Sequence, residues 1–125
     1  MIFKQLKKLF FDAIEKDCHQ HPYGGGWVQN TASVASTVYI GLNAKVCDYA
    51  VVSDNAAIFG HAAIFGDAKV SGHAKVFDNA LVCGSAVVFD NAVICEYAVI
   101  CEYARVYGNA EVCGDAIVCK YSCFC

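Results

Sequence analysis

One proline and 17% charged residues in 125 positions are low figures for a globular chain, and each scarcity excludes something. Nine Lys and Arg against twelve Asp and Glu leave a net charge of −3. There is no clustered basic surface of the kind phosphate backbones require, so nucleic acid is not an expected partner. No apolar run approaches the roughly 20 residues of a membrane-spanning helix, and a membrane partner is not expected either. Nucleophile-elbow, phosphate-loop and dinucleotide fingerprints are all missing. The segment Met1 to Asp17 has no unbroken apolar core followed by a cleavage site, so a cytoplasmic location is expected. What the chain does have is 58% hydrophobic residues, ample for a packed core and contrary to intrinsic disorder. Its length suits one domain with a small appendage.

Nine cysteines are an odd number. In a reducing compartment they are expected to be free thiols that behave as small hydrophobes. Zinc favours CxxC-type pairs, whereas most spacings here are multiples of six. Cys119, Cys123 and Cys125 form a tail that is the one weak metal candidate.

The dominant feature is a period of six. Val or Ile occupies positions 34, 40, 46, 52, 58, 64, 70, 76, 82, 88, 94, 100, 106, 112 and 118, and Ala falls four residues later from Ala44 to Ala116. A helix repeats near 3.6 and a strand alternates at 2, so neither explains this spacing. One large and one small inward residue per six, followed by a pair such as Asp54-Asn55, Gly66-Asp67 or Gly84-Ser85, describe a two-residue strand and a tight corner. Gly, Asn and Asp tolerate the positive φ that such corners need. Glu96-Tyr97 and Glu102-Tyr103 fit that chemistry badly, and those corners are expected to be strained or differently shaped.

These hexads, in their A-x-V-x-G-[ND] form and with the lead-in GGGWVQNTASVA, resemble the hexapeptide-repeat proteins, and in particular a bacterial and phage branch of that family labelled as acyltransferases. The resemblance covers about three quarters of the chain. It implies an all-β, left-handed parallel β-helix with three hexads per triangular coil, hence about five coils over residues 34–125. It also implies that an enzymatic member would move an acyl group from acetyl-CoA or another acyl thioester, with a histidine as general base. His61 and His73 are the only histidines within the repeat, and both stand at corners, where a solvated role is the simpler expectation. No loop breaks the hexads to enclose a pantetheine arm, so no cofactor and no catalytic residue is expected.

Stacking every eighteenth residue sorts the outward side chains into three walls. The first carries Lys45, Cys47, Ala63, Phe65, Leu81, Cys83, Val99, Cys101, Ile117 and Cys119, with one charge among the ten. An uncharged wall of this extent exceeds what ordinary monomers expose. A homo-oligomer, two-fold or three-fold, is therefore expected through Phe65, Leu81, Cys83, Val99, Cys101, Ile117 and Cys119. Solenoid ends expose unpaired strand edges. Residues 1–17 read as an amphipathic capping helix, with Phe3, Leu6, Phe10, Ala13 and Ile14 along one stripe. Residues 18–33 read as a linker and first strand, with Trp27 at the mouth of the solenoid. The carboxyl-terminal edge has no comparable cap, which makes end-to-end stacking a second mode of association. The overall expectation is a non-catalytic structural or interaction module, with the acyltransferase as its alternative.

Overall fold

The computed structural model describes residues 17–124. The helix expected over residues 1–17 therefore falls, apart from Asp17, outside the described residues, as does Cys125. The described chain is an all-β parallel solenoid of about five stacked coils.

Each hexad makes one two-residue strand, from Ser33–Val34 through to Cys123–Phe124. These strands stack into three sheets. One runs through the strands at Lys45–Val46, Ala63–Ile64, Leu81–Val82, Val99–Ile100 and Ile117–Val118; we call its outer face wall A. The second holds Ser33–Val34 to Cys123–Phe124 (wall B), and the third Tyr39–Ile40 to Glu111–Val112 (wall C). Pairing is parallel and in register at an offset of 18, as in Leu81 on Val99 and Val99 on Ile117.

The register follows from burial. The second residue of each strand points inward, and Ile40, Val46, Ile58, Ile64, Val70, Val82, Ile94 and Ile100 are fully buried. Complete burial of such a side chain is worth about 1.5–3 kcal/mol, and a slip by one residue would turn the whole set outward. The alanines lie against these residues, equally buried from Ala44 to Ala104. They occupy the positions where the backbone turns and the walls converge.

Corners complete the ladder. From Val46 onward the residue two places after each inward aliphatic takes a positive φ, at Gly in Gly60, Gly66, Gly72 and Gly84 and at Asp in Asp48, Asp54, Asp78 and Asp90. Glu96 and Glu102 adopt the same conformation, at φ 58° and 57°. Those two corners thus keep the common shape and bear the strain of a side chain in the left-handed region. The Asp corners add a coil-to-coil bond, since Asp48 Oδ2 accepts from Gly66 N–H at 3.0 Å and Asp78 Oδ2 from Glu96 N–H at 3.1 Å.

The amino-terminal end departs from expectation. Residues 18–26 are not simply a linker: Cys18–Gln20 (β1) pairs antiparallel with Trp27–Gln29 (β2), and β2 is the first rung of the wall A sheet. The six-residue frame therefore begins at Val28, one hexad earlier than the aliphatic series from residue 34 suggested. Val28 is the inward residue, 1% exposed, while Trp27 lies on the outer face over Lys45 and does not plug the interior. The turn between β1 and β2 covers the first rung of wall C, with Ile40 N–H donating to Tyr23 O and Gly26 N–H to Ile40 O. A Cβ at Gly24 or Gly26 would sit 2.2 Å from Ile40 atoms, so this approach requires glycine.

Candidate functional site

Wall A is the surface on which the expected interface residues converge. Leu81, Val99 and Ile117 form one outward column above Ala63. Phe65, Cys83, Cys101 and Cys119 stand two residues later in the chain and form the neighbouring column, tied by Phe65 N–H to Val82 O at 2.9 Å, Cys83 N–H to Ile100 O at 2.8 Å and Cys101 N–H to Val118 O at 2.9 Å. All seven therefore share one wall. From Ala63 to Cys119 these two columns hold no ionisable group besides the thiols. Phe65, Leu81, Cys83, Val99, Cys101 and Cys119 are half-buried, and Ile117 on the last rung is 68% exposed. The structure adds Trp27 at the upper end of the same wall, over Lys45. The signal was its position 18 residues before Lys45 in the frame set by Val28.

The other walls are divided. Wall C carries a stack of Phe59 on Phe77, ring centroids 4.8 Å apart, extended by Tyr39 and Tyr23. Below it Cys95 and Cys113 form a disulfide with Cα atoms 4.8 Å apart. The expectation of free thiols throughout fails at this pair, because in-register neighbours on adjacent rungs already lie within disulfide reach. Wall B carries Lys69 and Arg105 among its strand residues, with Phe89 stacked on Tyr107 at 5.2 Å.

Cys47, Cys83 and Cys101 on wall A are not activated nucleophiles. Burial raises the Cys83 thiol above the ordinary range, and burial followed by the Asp48 carboxylate and the Cys18 thiol raises that of Cys47, against a lowering by Lys45. Burial also heads the causes for Cys101, followed by Cys119, Cys83 and Glu102. A raised pKa leaves little thiolate at neutral pH, the opposite of what a catalytic cysteine needs. Of the tail cysteines, Cys119 belongs to wall A and Cys123 to wall B, so the structure does not join them. A different trio is brought together: the Cys101 and Cys119 sulfurs and a Glu102 carboxylate oxygen all lie within 4.8 Å of one another.

His61 and His73 stand at different corners of the solenoid, both exposed, each anchored by its backbone N–H to the next coil. His73 borders an open depression of about 450 Å³ with Lys75, Asn91 and Val93. Neither imidazole makes a side-chain hydrogen bond to another described residue. The two histidines whose rings are hydrogen-bonded lie in the amino-terminal cap: His21, 4% exposed, has its Nε2 2.7 Å from Val38 O, and exposed His19 has its Nδ1 2.7 Å from Asn30 Oδ1. Among the described residues no helix is long and apolar enough to cross a membrane.

Comparison with known proteins gives no relative: no family model, no curated protein and no solved structure matches the chain.

Proposed function

We propose that this chain is a non-catalytic β-solenoid module that self-associates through wall A. The observation that carries the reading is the pair of uncharged columns from Ala63 to Ile117 and from Phe65 to Cys119 on one flat face. Four rungs at about 4.8 Å make a stripe about 14 Å tall. Apolar surface in such a contiguous stripe is stabilised by removal from water, and a second copy of the same stripe supplies that cover with matching periodicity. Leu81 and Val99 lie at its centre, where residues dominate binding energy.

In this reading the coil is left-handed and the hexads are those of the hexapeptide-repeat proteins, following the resemblance of their sequences. The module works in the cytoplasm, in keeping with the thiols that remain free at Cys18, Cys47, Cys83, Cys101, Cys119 and Cys123. The Cys95–Cys113 disulfide is then the feature a reducing compartment would open.

The test is Leu81→Glu with Val99→Glu, which places two charges per copy at the centre of the contact. The double variant elutes from a sizing column as a smaller species than the parent while keeping its circular dichroism spectrum. An unchanged elution volume removes the interface. Titration with acetyl-CoA separates the enzymatic alternative: a module shows no saturable binding. Saturable binding lost in His61→Ala or His73→Ala would make acyl transfer the function.

A further inference from the structure

Two cysteine pairs in this solenoid share a topology and differ in chemistry. Cys95 and Cys113 lie 18 residues apart on wall C and are joined. Cys101 and Cys119 have the same separation on wall A and remain thiols. Beside the open pair stands Glu102, held at a φ of 57°, a conformation unfavourable to a residue with a side chain. Its carboxylate oxygen and the two sulfurs form a triangle with no side longer than 4.8 Å.

We propose that Cys101, Cys119 and Glu102 bind a thiophilic divalent cation of the zinc class, with water as the fourth ligand. A tetrahedral ion with metal–sulfur bonds of about 2.3 Å holds its two sulfurs about 3.8 Å apart. The two sulfurs need to close by no more than about 1 Å and the carboxylate oxygen by little more, within reach of side-chain rotation at a half-exposed site. The donor set selects the ion. Two sulfurs exclude calcium and magnesium, which take oxygen ligands, and a carboxylate beside two thiolates suits a borderline-soft divalent ion better than Cu(I).

Binding releases two thiol protons to solvent and sets two thiolates and one carboxylate around a charge of +2, leaving the site at −1. Because binding displaces those two protons, affinity rises with pH. Cys83 takes no part in this ion, because it lies two rungs from Cys119, about 9.6 Å. All three donors belong to one chain, so one copy suffices to hold the ion.

The experiment uses the full chain carrying Cys95→Ala and Cys113→Ala under a phosphine reductant, so that the wall C pair neither closes nor competes. Co2+ is the probe, read by its visible absorption, with Zn2+ as displacing ion. One equivalent of Co2+ binds with a tetrahedral spectrum and is displaced by Zn2+. Cys101→Ser and Cys119→Ser each weaken binding by about tenfold or more and diminish the thiolate charge-transfer band. Glu102→Gln weakens it while keeping that band, and Cys123→Ser leaves it unchanged. Circular dichroism checks that each variant is folded, and Glu102→Gln keeps both thiols should the serine variants fail that check. The proposal is overturned if the parent binds no equivalent, if the serine variants bind as tightly as it does, or if Cys123→Ser weakens binding equally.

Discussion

Gly84 offers a test in which the larger side chain should be the better tolerated. Its φ is +66°, and a Cβ built there would lie 2.6 Å from Glu102 N and 3.0 Å from Glu102 Cα on the next coil. Gly84→Ala therefore carries two costs. The left-handed conformation costs an alanine about 1–2 kcal/mol, and the coil above must lift by several tenths of an ångström, against bonds such as Ser85 N–H to Glu102 O at 2.7 Å. Together they come to about 2–4 kcal/mol, in the range of a strained backbone plus overpacking. Gly84→Asp meets the same steric cost and gains a compensation already present in this fold. Asp78 lies directly under Glu96, at φ 58°, and its Oδ2 accepts from Glu96 N–H at 3.1 Å. An aspartate at position 84 under Glu102 reproduces that pair of residue types. Aspartate also tolerates the left-handed region better than alanine, and a net hydrogen bond is worth about 0.5–1.5 kcal/mol. Urea midpoints followed by far-ultraviolet circular dichroism should rank glycine first, aspartate second and alanine last, with Asp and Ala about 1–2 kcal/mol apart. Alanine equal to or better than aspartate would refute the argument that the Asp corners are coil-to-coil staples.

Three further outcomes follow from the same geometry. Cys95→Ala with Cys113→Ala removes a cross-link over 18 residues, and chain-entropy arguments put the loss near 3 kcal/mol, read as a lower urea midpoint. His21→Ala strips a buried partner from Val38 O and should cost about 1–3 kcal/mol, whereas His61→Ala and His73→Ala at exposed corners should stay within about 0.5 kcal/mol of the parent. The raised thiols of Cys47, Cys83 and Cys101 mean that the folded chain holds protons the unfolded chain has released above about pH 8.5. Their contribution to stability is thus intact below that pH and fades as pH rises through the folded values. Thermal midpoints of the parent should fall more steeply above pH 8.5 than those of a triple alanine variant.

The solenoid and its walls were legible because one rule repeats without interruption: each inward position from Val34 to Val118 is aliphatic, and an offset of 18 places Leu81, Val99 and Ile117 in one column. The beginning of the frame was harder to see. Val28 with Ala32 already obeys the rule, but Gln29, Asn30 and Thr31 carry none of the Gly or Asp that marks later corners, and the glycines before Trp27 read as a linker. Strand β1 has the sequence Cys-His-Gln, with no alternation of apolar and polar residues, and forms only because β2 offers an unpaired edge. Nothing in the spacing separates Cys95 and Cys113 from Cys101 and Cys119, since both pairs differ by 18. Glu102 joined the thiols only in three dimensions, because a corner residue seen in sequence belongs to the turn and not to the wall beside it.

The central claim is that wall A is covered by another copy of this chain. Light scattering coupled to a sizing column, on reduced protein so that no thiol cross-link contributes, measures the mass directly. The account predicts two or three times the chain mass of 13.4 kDa. A species of 13.4 kDa across the accessible concentration range would contradict it.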